Sequence, residues 1–513
     1  MRSAFVKTLL GVCVAFVAVF AVEFLVEWWR LDTPGLEKLS WSESNLPKLV
    51  DTLSPMARAY NNILAMLLAT IGLAIPLTAN MHTPKLIDMF LRDRLNQAML
   101  LVMAFGAANV LFVSYMIGPG FAPMWAYRFA VYFALLGWAL LIPYFFYVVR
   151  FLDPTNILVR LKQETSRLLD RVKRGDVDLE RQQTLVHERI FQIGTIVLKS
   201  LDRADRGVAL EGVWTLKKLI DYHGEEKRAL PDAWFKVDRG DFVGLSAEAI
   251  ELLNEDRTWF EMKALNQLFY AYQSALAKTS DVVSSISDAV RAVAVNHARL
   301  GDTRALDLDI RYFNTFLRES IKKKDVHSIY DVFYEYRLLA RDLADHPDKQ
   351  RDIARHVRHY GALAQGAGFP FVQQLAAFEL GYMARRAYEV DSPAAADLLH
   401  EAVAVPHEEK GTVVPLVLKA KVLLGGFFLQ HGRAAEAELV RRDLARVAPA
   451  RLLEAERDLL SAERCFFEVT NRQENLEYVR PERREHVQAF VKRLCAGAAD
   501  ASGSTTAPDS GAV

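Results

Sequence analysis

The residues best placed to do chemistry in this sequence are Asp352, His356 and His359, with His346 a short way upstream. Their i, i+4, i+7 spacing puts one carboxylate and two imidazoles along one face of a helix, a set that a divalent cation can use. The same stretch carries Arg351, Arg355 and Arg358, whose charge repels a cation, and twelve histidines in 513 residues make such coincidences easy. A solvated helix face is the expectation, and no metal site is assigned. Cys13, Cys465 and Cys495 are odd in number and far apart, so they supply neither a disulfide framework nor a metal knuckle. Cys465, beside Phe466 and Phe467, reads as core, and Cys495 as a more exposed thiol with nothing nearby to activate it. No glycine-rich phosphate loop, nucleophile elbow or histidine pair with a helical glutamate occurs. The sequence therefore names no catalytic, cofactor-binding or metal-ligating residue, and it points away from an enzyme.

What must be positioned instead is polar chemistry inside apolar surroundings. Residues 59–84, 95–127 and 129–149 are uncharged runs, each at or above the roughly 18 to 20 residues that a helix needs to cross hydrocarbon. At mid-depth they hold Asn61, Asn62, Asn109 and Ser114 but no Lys, Arg, Asp or Glu. Carriers coupled to protons or ions place ionisable groups in their spans, so coupled transport loses weight. Asn109, with Gly106, Ala107 and Ala108, marks helix packing. The same four polar residues are the lining that an oligomeric channel or gated pore would require, which keeps that function open as an alternative.

The charge distribution divides the chain. Overall, 63 Lys+Arg balance 63 Asp+Glu, so net positive charge gives no reason to expect nucleic-acid binding. Residues 1–152 hold only 11 basic and 8 acidic residues and read as a transmembrane domain with spans at about 5–28, 59–80, 96–117 and 128–151. The first span requires Glu23 to sit near an interface. A cleaved signal peptide competes there, with Val19-Phe20-Ala21 as its cleavage site. Apolar character continuing through Phe24, Leu25, Val26, Trp28 and Trp29 favours an uncleaved anchor with an interfacial belt.

Arg2 and Lys7, then Lys85, Arg92 and Arg94, then Arg150 and the basic residues after it, alternate with poorly charged loops. The positive-inside bias places all of these, and everything after the last span, in the cytoplasm. In the outer loop, Leu46, Leu49, Val50 and Leu53 recur at helical spacing, as expected of a short helix on the membrane surface or packed on the bundle.

Asp153-Pro154 is a helix start and Gly175 a stop, giving a basic juxtamembrane helix over 153–178 with Arg160, Arg167, Arg171 and Arg174 on one side. Residues 179–345 follow as a helical-repeat region. Counted from Asp205, Asp302 and Asp325 as N-caps, positions +4, +8, +11 and +15 are Ala209, Val213, Leu216, Ile220; Leu306, Ile310, Phe313, Leu317; and Ile329, Phe333, Tyr336, Ala340. That register suits stacked helices of a solenoid. Between 229 and 245, Pro231, Gly240 and Gly244 interrupt the spacing around Trp234, Phe235 and Phe242, an aromatic loop expected to plug the helix stack.

In the region 346–494, Leu424-Gly425, Phe428, Gly432, Ala437 and Pro449 occupy spacings that resemble a tetratricopeptide repeat, in which small residues permit close helix crossing and proline ends the second helix, with Arg441 departing from its usual aromatic. Leu380-Gly381, Ala394 and Pro406 are similar once one residue is inserted, so the resemblance covers 374–449. It implies a concave protein-binding surface and no chemistry. Residues 56–165, through Thr83-Pro84-Lys85-Leu86, the run from Phe90 to Gln97, and Asp153-Pro154-Thr155-Asn156-Ile157-Leu158, resemble a family of predicted bacterial membrane proteins of unknown function. That resemblance implies an inner-membrane location and no activity. Arg92, Asp93 and Arg94 are expected to pair with the helix after Asp153 and fix its exit angle. Residues 495–513, rich in Ala, Ser, Gly and Thr, read as a disordered tail.

The fold class expected is all-α: a four-helix transmembrane bundle followed by a cytoplasmic α-solenoid. The function expected is a membrane-anchored scaffold or adaptor. Its partners are the lipid bilayer and a cytoplasmic protein or a second copy of the chain, with no nucleic acid and no cofactor.

Overall fold

A computed structural model describes residues 2–32, 46–81, 86–118, 121, 123–175, 178–276, 278–409, 412–465 and 475–503. The chain forms two units, Met1–Arg160 and Leu161–Val513.

The first unit is built on helices α1 (Arg2–Asp32), α2 (Leu46–Met81), α3 (Leu86–Arg92), α4 (Arg94–Met116) and α5 (Met124–Leu152). Among the described residues, Leu49–Thr78, Arg94–Met116 and Met124–Leu152 are long and apolar enough to cross a membrane. Of the two readings for the helix at Leu46–Leu53, packing on the bundle is the one found: it is the first part of α2, and Leu53, Ala57 and Tyr60 continue one apolar stripe into the bundle core. Tyr60 is the wedge of this core. A Cβ on Gly106 would lie 2.7 Å from its hydroxyl and one on Gly137 2.2 Å away, so both helices can close on the ring only because neither position carries a side chain. The small residues around Gly106 thus pack helices, as their types predict. Side chains of residues 2–13 lie outside the described residues. Further along α1, Phe16 meets Phe105 at 5.0 Å and Phe20 stacks on Phe112 at 4.8 Å. Leu73, Leu77, Ile142 and Phe146 point away from this core and are exposed, the position that lipid contact requires.

Polar groups in this unit act as pins. Asp93 caps α4, accepting from the Leu95 and Asn96 amides, and also accepts from the Tyr147 hydroxyl at 2.8 Å. Arg160 reaches Asp93 at 3.7 Å and lies over the Phe151 ring at 4.2 Å. The pairing expected between the Arg92–Arg94 corner and the helix after Asp153 is therefore carried by Asp93. Glu23 does not rest passively at an interface: both its carboxylate oxygens accept from Asn109 Nδ2 at 2.8 Å. Glu27 is buried and accepts from the Trp125 and Ala126 amides, the latter at 2.9 Å. Pro123, the cap residue of α5, offers no side-chain bond, so Glu27 supplies the missing cap from another helix.

Helix α6 (Pro154–Arg174) follows, ending at Gly175, whose φ of +79° is the left-handed stop that glycine permits. Ile157, Leu158, Leu161, Leu168, Leu169 and Val172 form its buried stripe, while Arg167, Arg171 and Arg174 are exposed. The body then runs through α7 (Leu179–Asp202), α8 (Arg206–Glu226), α9 (Ala247–Asp256), α10 (Trp259–Ala275), α11 (Ser280–Leu300), α12 (Thr303–Lys323) and α13 (Val326–Asp342). Continuing from there are α14 (Pro347–Gly366), α15 (Pro370–Glu389), α16 (Ala395–Val403), α17 (Pro415–Gln430), α18 (Ala434–Asp443), α19 (Pro449–Ser461) and α20 (Pro481–Gly503). A two-residue hairpin, Glu408–Glu409 with Thr412–Val413, is the strand pairing of this unit among the described residues.

Asp205, Asp302 and Asp325 cap α8, α12 and α13, each accepting from the amide three residues on. All twelve residues at +4, +8, +11 and +15 are buried. Trp234, Phe235 and Phe242 are buried as a plug: Gln183 and Trp259 Nε1 both donate to the Trp234 carbonyl. Beneath it, His223 bonds Glu261 at 2.8 Å, Lys227 bridges Glu261 and Asp302, and His297 bonds Asp309 at 2.6 Å. The helix α20 continues through 496–503, residues expected in the tail, because the Ala-rich segment is a strong helix former; 504–513 lie outside the described residues.

Candidate functional site: an arginine-lined cavity

A cavity of about 1090 Å³ opens in the second unit, walled by α13, α15, α20 and the segment leading into α20. Its position follows from two glycines. On α17, a Cβ at Gly425 would meet Phe490 at 2.2 Å and one at Gly426 would meet Val487 at 2.7 Å. With hydrogen in their place, α20 lies directly against α17, and its first turn is carried to the cavity. The Leu424-Gly425 pair expected to allow a close crossing does so, and the helix it admits is α20. Pro449, expected to end a helix, opens α19 at its first position.

The wall is strongly basic. Helix α13 contributes Arg337 and Arg341, α15 contributes Arg385 and Arg386, and the C-terminal segments contribute Arg464, Arg480 and Arg483. Two glutamates, Glu389 and Glu482, face the same space. Glu389 is shared: Arg386 donates to it at 3.1 Å and Arg483 lies 3.6 Å away. From behind the wall, Glu379 pairs with Arg337 at 3.2 Å and Asp342 with Arg341 at 2.7 Å. Among the described residues, seven arginines thus answer to four carboxylates. Arg337 is braced further by Tyr382, 4.2 Å beneath its guanidinium. Arg385 donates Nε to the Gly381 carbonyl at 3.3 Å and pairs with no carboxylate among the described residues. Burial, together with Arg483 and Arg337, pulls it down from the usual guanidinium range to about 10, with Glu389 opposing. It therefore stays cationic at neutral pH. The chemistry on offer is anion binding by planar, bidentate donors.

Residues 2–196 match the protein family described as Predicted membrane protein (DUF2254). The matched residues take in the helices of the first unit, α6 and most of α7, and the cavity lies beyond them. No curated protein matches the chain. A solved structure described as "Circular tandem repeat protein with novel repeat topology and enhanced subunit contact surfaces" is 13% identical, with 90% of this chain and 98% of that one covered and a TM-score of 0.33. Residues 2–196 are thus similar to a predicted membrane protein, and the described residues beyond them are almost entirely helical.

The residues singled out from sequence fall elsewhere. His356 Nδ1 lies 3.1 Å from the Tyr336 hydroxyl and 3.3 Å from Asn314 Nδ2, a structural contact between α12, α13 and α14. Asp352 lies 3.6 Å from Arg355. Cys465, expected in the core, is exposed at the cavity rim, since the chain leaves α19 just before it; Phe466 and Phe467 lie outside the described residues. Cys495 is half-buried. Sequence reading missed the cavity because its arginines come from segments spread over 337–483. One signal was present: Arg385-Arg386 close α15, whose apolar residues are core, and Arg480 and Arg483 flank the start of α20.

Proposed function

We propose that the protein is a multi-pass bacterial inner-membrane protein that holds its helical-repeat body in the cytoplasm as a protein–protein interaction scaffold or adaptor. The observation that carries this reading is the tandem register of α8, α12 and α13, each opened by an aspartate cap and each burying the same four positions. Stacked repeats of this kind bury their cores against one another and leave extended outer faces for partners. The basic residues at the inner ends of the spans support the cytoplasmic placement. The pore reading loses its main residue, since Asn109 is fully buried and bonded to Glu23.

Photo-crosslinkers placed in the full-length protein at Phe191 and Val243, 63% and 97% exposed, should capture one cytoplasmic protein reproducibly in native membranes. Crosslinks to lipid only, or none, would overturn the adaptor. Orientation has its own check. With Cys13 and Cys495 replaced by Ser, an impermeant maleimide should leave the exposed Cys465 unlabelled in intact spheroplasts and label it once they are opened.

A further inference from the structure

From the uncompensated arginines around the cavity we infer that the helical-repeat body binds a small molecule of nucleotide size carrying several phosphate charges. This goes beyond the scaffold reading and stands or falls separately from it. Like charges gathered in a partly desolvated space repel one another, and a chain gains nothing from holding them there unless an anion joins them. Arg385 is the sharpest case, being the half-buried guanidinium with its free donors unmatched by a carboxylate among the described residues. Arg464 and Arg480 add two more cations at the rim without an ion pair among the described residues.

The arrangement selects a ligand class. Guanidinium groups recognise phosphate oxygens by paired, coplanar N–H donors, and seven of them on several chain segments suit an anion with charge on several sides. A cavity of about 1090 Å³ lies at the upper end of small-ligand sites, which run from roughly 300 to 1,000 Å³. One inorganic phosphate would leave most of it empty. The site is held rigidly: the Arg337–Glu379 pair and the Tyr382 face beneath Arg337 fix one wall, and the glycine-mediated α17–α20 contact fixes the other. Glu389, already shared between Arg386 and Arg483, keeps those two side chains in place without neutralising the remainder.

The test is calorimetric titration of the detergent-solubilised full-length protein with ATP, inorganic tripolyphosphate, adenosine and hexaglutamate, without divalent metal and at physiological salt. The expected result is saturable binding of ATP and none of adenosine. Equal binding of tripolyphosphate assigns recognition to phosphate alone, and weaker binding assigns part of it to the nucleoside; both support the inference. R385Q and R483Q should each weaken ATP at least tenfold, and R442Q, a surface change on α18 that removes the same charge, should change it less than twofold. Where R385Q lowers expression, R464Q at the exposed rim replaces it, with a several-fold loss expected. Absence of ATP and tripolyphosphate binding at millimolar concentration would overturn the inference. So would binding of hexaglutamate alone, or equal losses in R442Q and R385Q.

Discussion

The two units handle buried charge in opposite ways. In Met1–Arg160, each carboxylate described in the interior has a specific neighbour to hold: Glu23 takes Asn109, Glu27 takes the open end of α5, and Asp93 joins α4 to Tyr147 and Arg160. In Leu161–Val513, one cluster is neutralised with similar care, His223, Glu261, Lys227 and Asp302 closing on one another beneath the aromatic plug. The second cluster, around Arg385, holds more arginines than carboxylates among the described residues. Where charge is balanced by described neighbours, its role is to position helices.

The largest test strikes the feature the units share, helices closing on a glycine. Gly425→Leu pushes into Phe490 and Gly137→Leu into Tyr60, and each should cost about 3 kcal/mol or prevent folding. Denaturant unfolding of the solubilised protein measures both; a loss below 1 kcal/mol at either position would show that the crossing relaxes easily. Next, Glu27→Ala leaves two buried amides at the start of α5 without an acceptor and should cost about 1–2 kcal/mol. Glu27→Gln should restore part of that, because the amide oxygen still accepts.

Caps in the repeat body should separate by their second partners. Asp325→Ala removes a cap and a bond to Ser328 and should cost about 1 kcal/mol. Asp302→Ala also strips Lys227 of a partner 2.6 Å away and should cost more. Equal losses would mean that the Lys227 bridge contributes nothing.

The smallest effect is a pH slope. Burial alone would lower His297 from 6.5, but the Asp309 carboxylate at 2.6 Å outweighs it, so the imidazole titrates higher when folded. Stability from a raised histidine is complete below its unfolded value and is lost as pH climbs through the folded one. Melting temperature should therefore fall from pH 6.5 upward, and H297Q should flatten that decline. Burial pushes Asp309 up to about 6, against the pull of His297.

Local signals were legible in the sequence. Caps at Asp205, Asp302 and Asp325 and the stop at Gly175 depend on neighbours in the chain and are found where those neighbours require, while the small residues around Gly106 and the aromatic plug announce close packing by residue type alone. Residues whose role is set by a distant helix were not legible. Glu23 and Glu27 look like interfacial charges until α4 and α5 stand beside them. Gly425 and Gly426 promise a close crossing without saying which helix arrives. The arginine cavity gathers residues from 337 to 483, and no spacing rule spans that distance.

The contact at Gly425 also has a bearing on synthesis. A ribosome finishes α17 some fifty residues before the first residues of α20 emerge, so for several seconds the glycine face of α17 lacks the helix that covers it. A nascent chain interrupted in that interval has its apolar helices and most of those that follow, yet lacks Arg480, Arg483 and α20. The cavity is thus among the last features to be completed, and chains arrested before residue 481 expose a sticky apolar groove for chaperones or proteases to recognise.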